Sequence, residues 1–295
     1  MYKFSFVILH YLSYDYTNDC INSILKNLFY DNYYIVVVDN ASTNDSFDRL
    51  NEKYKNNKKI YFLRNEKNLG FAKGNNIGYK YAKYILKSDF IILLNNDTII
   101  EQKDTLKNII NIYEINKFYL MGPDIIGLDG KHQNPQSLSL LKEESLIRYM
   151  NKLKFKIVLS YLNLDGFASY IYGMIKKKFK KDLIFYDKEL VNVQLHGACL
   201  IFSPLYLKKF DGLYDKTFLD MEEYILYYTL MRENLMTLYS PEIKIIHREY
   251  GSTKIMFKSS SKSRRFRYKT RLESTKILLK YMKNYESEKY NFMII

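Results

Sequence analysis

Three stretches of this chain are apolar at nearly every position, and each ends on a polar residue: Phe4–Leu9 before His10, Tyr34–Val38 before Asp39, and Phe90–Leu94 before Asn95. A strand with one face in water alternates apolar and polar residues, so continuous runs of this length point to strands covered on both faces. Between them lie segments with helical spacing. Thr17–Phe29 puts Cys20, Ile21, Ile24, Leu25 and Leu28 on one face, and Glu101–Ile115 does the same with Leu106, Ile109, Ile110 and Tyr113. Phe71–Leu86 also reads as a helix, and Lys59–Leu63 as a short strand. This rhythm predicts an α/β fold with a mainly parallel sheet and helices on both faces.

The second half is less regular. Gly122-Pro123-Asp124 and Gly127 to Gly130 read as turns, and residues 141–190 as a helical or irregular insertion. Val191–Phe202 is strand-like with Gly197 inside it, Asp220–Arg232 helical, and Leu238–His247 contains a strand. Residues 258–290 form one or two basic helices, with Ser259-Ser260-Ser261 as the candidate hinge.

Hydrophobic residues make up 47% of the 295, which supports a sizeable core and excludes a disordered chain. The apolar run at Phe4–Leu9 is too short for a signal peptide, and no window is long enough for a transmembrane helix. A soluble chain, or one held only at a membrane surface, is expected. Cys20 and Cys199 sit in apolar patterns without metal spacing and read as reduced core thiols. The net charge of +14 favours polyanionic partners without choosing among nucleic acid, anionic membrane and phosphorylated ligands. From Lys254 to Lys283 the only acid is Glu273.

In an open parallel sheet ligands bind beyond the carboxyl ends of the strands. Asp39 and Asn40 stand at such an end, where Asp39 can accept from ribose hydroxyls or a base N–H, or simply cap a turn. The glycines of Asn68-Leu69-Gly70-Phe71-Ala72-Lys73-Gly74-Asn75-Asn76-Ile77-Gly78 allow close backbone approach to a ligand, or helix packing on the sheet. Asn95-Asn96-Asp97 follows the third apolar run; Asp97 is placed to hold a divalent cation beside a diphosphate, or to cap the next helix.

These three segments, in this order, resemble family-2 glycosyltransferases with a GT-A, Rossmann-like fold, particularly the rhamnosyltransferase-like branch of bacterial surface-polysaccharide synthesis. Gly197-Ala198-Cys199-Leu200-Ile201-Phe202, the stretch Gly212 to Glu223 ending in the acidic pair Glu222-Glu223, and His247 followed by Gly251-Ser252 extend the resemblance over residues 4–255. It implies a catalytic domain over residues 1–255, with a nucleotide-sugar half (1–125) and an acceptor half (126–255), and a basic helical extension over 256–295. It implies an inverting transfer with Glu223, or in reserve Glu222, as base. Asp97, Asn95 and His247 are the expected holders of Mg²⁺ or Mn²⁺, and Tyr11, Asp39, Asn40, Asn68, Gly70, Asn75 and Asn96 the expected donor contacts. Asn95 replaces the acid common at the first metal position, so the charge rests on Asp97. Outside the resemblance, Glu222 and Glu223 also suit an acidic first helical turn, and His247 a structural role.

The resemblance implies a nucleoside-diphosphate sugar donor and a saccharide or polyprenyl-diphosphate-linked acceptor. The expected location is cytoplasmic, or peripheral on the inner face of the plasma membrane. Lys258, Lys262, Arg264, Arg265, Arg267, Lys269 and Arg271, interleaved with Phe266 and Tyr268, suit an anionic membrane surface or a solvated helix face. No nucleic-acid module is recognised. Two other readings compete: a sugar-1-phosphate nucleotidyltransferase, which would carry a Gly-rich loop where this chain has His10-Tyr11-Leu12-Ser13, and a basic nucleic-acid or lipid-binding protein.

Overall fold

A computed structural model of the chain describes residues 1–165, 186–249 and 261–292. Gly251-Ser252, Lys258, Ser259, Ser260 and the 255/256 boundary lie outside the described residues. Strands β1 (Phe4–His10), β2 (Tyr33–Asp39), β3 (Ile60–Arg64) and β4 (Phe90–Asn95) alternate with helices α1 (Tyr14–Asn27), α2 (Ser46–Tyr54) and α3 (Phe71–Lys80), as the apolar rhythm requires. The helix α3 continues as one π-type turn, Tyr81–Ile85. β5 (Thr98–Ile99), α4 (Thr105–Asn116), β6 (Leu120–Gly127) and α5 (Glu143–Tyr161) follow, then β7 (Leu190–Val191), β8 (Cys199–Phe202), α6 (Pro204–Lys209), α7 (Glu222–Arg232), β9 (Thr237–His247) and α8 (Ser261–Phe292).

The sheet runs β3-β2-β1-β4-β8-β6-β9-β5, with β7 on β9. β1, β2, β3 and β4 are mutually parallel, as are β6 and β9, whereas β8 is antiparallel to both of its neighbours. Each apolar run is covered twice. Phe4, Phe6 and Ile8 join α1, α2 and α4 residues in one core, while Val7 packs with α3, α6 and α7 residues on the other face. Both cysteines are free and buried. The glycines of α3 serve this packing. A Cβ on Gly78 would come within 2.4 Å of Val7 Cγ1, and one on Gly74 within 2.6 Å of Leu9 Cδ1.

Several expectations change. Gly122-Pro123-Asp124 is not a turn but the middle of β6, where the register with β9 shifts between Pro123 and Asp124; proline is tolerated at such a bulge. Val191–Phe202 is not one strand, because residues 192–198 leave the sheet between β7 and β8. α2 lies behind a loop rich in Asn, Asp, Ser and Thr, yet its Phe47, Leu50 and Tyr54 fall on one buried face. Residues 143–161 of the expected insertion form a continuous helix.

The basic C-terminal helix is built into the body of the protein. α5 and α8 pack antiparallel, with Leu146 against Leu278 and Met282 and Leu153 against Tyr268 and Leu272. Several of its bases are used internally. Arg264 grips the buried Asp165 through Nε (2.6 Å) and Nη2 (3.1 Å), and Arg265 donates to Ser160 O at 2.7 Å while stacking on Tyr161. Among the described residues no helix is long and apolar enough to cross a membrane.

His10 ends β1 fully buried. Ser46 Oγ donates to Asn44 Oδ1 at 2.6 Å, so its lone pair receives His10 Nε2–H at 2.8 Å. His10 Nδ1 then accepts from Thr17 Oγ1 at 2.7 Å, and Thr17 Oγ1 accepts from Asn96 Nδ2 at 3.0 Å. This directed chain needs neutral imidazole, and burial lowers the His10 pKa from 6.5 to about 4. A pKa depressed on folding contributes stability above the unfolded value that is lost as pH falls toward the folded one. Urea unfolding should therefore weaken between pH 6.5 and 4, with up to about 3 kcal/mol from this group. In His10→Asn, that share of the pH dependence should vanish.

Candidate active site

The carboxyl end of β4, at Asn95, faces His196 before β8 and Glu222 and Glu223 at the start of α7 across a cleft of about 1130 Å³. The expected donor contacts separate into two groups here. Asn40 is fully used by its own chain: Nδ2 donates to Asn68 Oδ1 (3.0 Å) and Gly70 O (3.2 Å), and Oδ1 accepts from Leu69 N (2.9 Å) and Asn65 Nδ2 (3.3 Å). An amide makes no more hydrogen bonds than these, so the Asn40 side chain is a loop staple rather than a ligand contact. Asn68 Oδ1 is likewise committed, to Asn40 and to Gly70 N. Asn75 is buried and bonded back to Phe71 O, and buried Asn96 serves Thr17.

Both oxygens of the buried Asp39 accept from Ser42 N, at 3.1 and 3.2 Å, with Arg64 Nε at 3.5 Å. Burial pushes its pKa up while Ser42 and Arg64 oppose the shift. The turn-capping reading thus fits its geometry, and its carboxylate orders the 39–44 loop. Opposite that loop Leu12 N donates to Ser42 Oγ at 2.8 Å, and Leu12 and Ala41 both take left-handed backbone. Tyr11 stands half-buried beside this paired rim.

Gly70 and Asn76 join the start of α3 to the acidic turn. Gly70 has φ +80°, and a Cβ there would meet Phe218 O at 2.1 Å; Phe71 N donates to that same carbonyl at 2.8 Å. Asn76 exchanges two 2.8 Å bonds with the Leu213 backbone. The glycine-asparagine segment therefore locks the approach to Glu222 and Glu223.

Asp97 is not a helix cap, since α4 begins at Thr105 after Asp104. The Asn96-Asp97 turn instead leads into β5, whose Thr98 pairs with His247. Asp97 Oδ1 lies 3.3 Å from His247 Nε2, both side chains nearly buried. Gln133 Oε1 has no hydrogen to give, so His247 Nδ1 is the donor in their 2.7 Å bond. His247 Nε2 and the Asp97 carboxylate thus face each other, a pairing that favours a positive charge between them. One carboxylate oxygen and one imidazole nitrogen, the latter fixed through its far N–H, fit a divalent cation. Asn95 lines the cleft beside them, its N–H held by Ala198 O at 2.9 Å. Among the described residues no three His, Cys, Asp or Glu side chains form a cation cage, so such an ion would take further ligands from a bound diphosphate.

Glu222 and Glu223 open α7. Glu222 is 4% exposed and accepts from Thr217 Oγ1 at 3.0 Å. Glu223 lies over Gly197, where a Cβ would come within 2.2 Å of its Oε1. Burial raises both pKa values, and each repelling carboxylate makes a second negative charge harder to hold; the Gly197 N–H partly offsets this at Glu223. A Gly197→Ala variant displaces the carboxylate and should lower turnover by about 10²-fold, read as kcat at saturating donor.

The residue before Gly197 completes the juxtaposition. His196 stacks edge-on with His247 at 5.6 Å between ring centres, and its Nδ1 accepts from Ala198 N at 3.1 Å, leaving Nε2 protonated. Burial lowers its pKa to about 4, so it is neutral near pH 7. Two consecutive residues, His196 and Gly197, thus touch the Asp97–His247 pair on one side and Glu223 on the other. His196 carried no motif of its own in the sequence; Gly197 carried the hint that a glycine inside a strand pattern gives.

The acidic turn is held from the C-terminal helix. Asp220 (φ 69°) and Met221 (φ 75°) are consecutive left-handed residues, a conformation that surrounding structure must enforce. Arg271 of α8 grips Asp220 through Nε (3.0 Å) and Nη2 (3.1 Å), and Ser274 Oγ donates to Leu219 O at 2.8 Å. Arg271→Met should lower kcat by about 10²-fold while the donor KM stays unchanged, because it loosens the turn and not the donor wall. Arg271→Lys should restore only part, as an ammonium cannot make the paired bonds.

The family model described as glycosyl transferase family 2 matches residues 5–183. Over 179 residues the chain is 26% identical to the uncharacterized glycosyltransferase MJ1057 of Methanocaldococcus jannaschii, covering 61% of this chain and 57% of that protein. The chain thus spans a little over half of that relative's length. The structure of S. aureus TarS 1-349 in complex with UDP is similar with a TM-score of 0.53 at 17% identity, covering 83% of this chain and 60% of that one. That of GalNAc-T7 with UDP, GalNAc and Mn²⁺ gives a TM-score of 0.57 at 13% identity, covering 89% and 49%. These likenesses show the fold, a GT-A-type α/β arrangement with a mixed, mostly parallel sheet.

Proposed function

The chain belongs to glycosyl transferase family 2, and on that premise we propose that it is an inverting glycosyltransferase. It moves a sugar from a nucleoside diphosphate to a hydroxyl of a saccharide or polyprenyl-diphosphate-linked saccharide, in the building of a bacterial surface glycan. The observation that carries this reading is the cleft in which His196-Gly197 brings the Asp97–His247 pair beside the Glu222–Glu223 pair.

In this reading Glu223 takes the proton of the acceptor hydroxyl. The acceptor oxygen bonds to the anomeric carbon as the bond from that carbon to the diphosphate oxygen breaks, and the nucleoside diphosphate leaves on the opposite face. Burial suits Glu223 to the task, because a carboxylate with a raised pKa is a stronger base. Glu222, tied to Thr217, holds the turn. Asp97 and His247, with Asn95 beside them, would hold Mg²⁺ or Mn²⁺, which supplies positive charge where the diphosphate leaves. The UDP and Mn²⁺ in the GalNAc-T7 structure and the UDP in the TarS structure support a nucleotide donor with a divalent ion. Tyr11 and the loop ordered by Asp39 form the wall against which the nucleotide base rests, and Asn68 lends that wall its amide nitrogen.

The test is a panel of nucleoside-diphosphate sugars with Mn²⁺ and a lipid-linked or free saccharide acceptor, read by mass spectrometry. Release of a nucleoside diphosphate with mass gain on the acceptor is expected. Formation of sugar 1-phosphate and nucleoside triphosphate from a sugar nucleotide and pyrophosphate, without any glycoside, would instead identify a nucleotidyltransferase.

A further inference from the structure

Three of the bases that marked the C-terminal segment as a membrane-facing surface, Arg264, Arg265 and Arg271, are turned inward to Asp165, Ser160 and Asp220. Among the described residues, an exposed apolar surface lies on the other helix of the hairpin. α5 turns Leu146, Leu153 and Ser160 inward against α8. Its opposite side leaves Phe155 62%, Val158 58% and Leu162 63% exposed, with Ile147 at 41% further along the same stripe. The spacing 155, 158, 162 puts these three on one face, so the helix is apolar on two sides, and among the described residues α8 covers the other one. Exposed apolar side chains clustered this way mark an interaction site.

Around Phe155, Val158 and Leu162 the charge of α5 is of one sign, its two acids, Glu143 and Glu144, lying at the far end of the helix. From Ser145 to Leu164 the sequence holds Arg148, Lys152, Lys154 and Lys156 and no acid, and of the six bases from Ser261 to Leu272 only Arg264 and Arg271 face an acid in the ion pairs described, Asp165 and Asp220. The acid at this end, Asp165, is fully buried and gripped by Arg264. An aliphatic stripe in a cationic surround matches the boundary of an anionic bilayer, where apolar side chains enter the acyl region and lysines stay among the headgroups. Single-stranded nucleic acid would call for a groove of stacking rings, whereas two of these three side chains are aliphatic.

We propose that the outer face of α5, centred on Phe155, Val158 and Leu162, is a docking surface for an anionic lipid bilayer. The proposal stands apart from the chemistry above, because binding is measured without any sugar donor.

The full chain contains no tryptophan, so Phe155→Trp installs a single reporter. Its emission should shift to the blue on addition of vesicles containing phosphatidylglycerol, and not with pure phosphatidylcholine. In co-sedimentation, Phe155→Ser/Val158→Ser/Leu162→Ser should lower the partition coefficient by at least about tenfold. The melting temperature should hold near that of the parent chain, since the three side chains are exposed. No binding to phosphatidylglycerol vesicles, or equal binding by the triple variant, would overturn the proposal. So would tight binding of single-stranded RNA by a chain that ignores the vesicles.

Discussion

Glu223→Gln should lower kcat for sugar transfer by about 10²–10⁴-fold while calorimetry finds donor affinity unchanged. The substitution keeps the shape of the side chain over Gly197 and removes only its capacity to take a proton. Glu222→Gln should cost less, since Glu222 is turned toward Thr217 rather than Gly197. The pH profile carries a second signature. A base must be ionised to act, and burial raises the pKa of Glu223, so kcat should fall as pH is lowered through a value above the ordinary carboxylate range. If Glu223→Gln turns over normally and Glu222→Gln does not, the roles are exchanged.

Asp97→Ala should abolish transfer, a loss of about 10³-fold or more, because on the proposed mechanism it removes the carboxylate that holds a cation at the leaving diphosphate. The fold should persist. The Asp97 backbone carbonyl still accepts from Arg248 N at 3.0 Å, and Thr98 still pairs with His247. A change of about 1 kcal/mol would move the melting temperature of a chain this size by only a few degrees. His247→Ala should weaken Mn²⁺ dependence more than it weakens metal-free stability. Full activity in Asp97→Ala would remove the metal assignment.

The sheet was legible because its central strands are apolar on both faces, which left β1, β2 and β4 no alternative to a covered parallel layer. β6 was not, because Gly122 and Pro123 look like turn residues until β9 supplies the bulge that tolerates them. Asp97 and the acidic pair were legible as polar residues at element ends. Asn40 was expected among the donor contacts, yet its amide is spent on Asn65, Asn68, Leu69 and Gly70. The residue types that bind ligands at a strand end are the same ones that staple loops, and only the observed partners separate the two. Arg271 was invisible for another reason. It lies 51 residues from Asp220, and a basic helix seen alone gives no hint of which acid it will meet. The left-handed pair Asp220-Met221 contains no glycine to announce it.

The reading comes down to one site holding a nucleotide sugar and a divalent ion together. A thermal-shift matrix of sugar nucleotides, each with and without Mn²⁺, tests this on the parent chain and on Asp97→Ala. Stabilisation that requires both ligands, and disappears in Asp97→Ala, is the predicted result. Equal stabilisation without metal, equal stabilisation of Asp97→Ala, or none with any sugar nucleotide would contradict it.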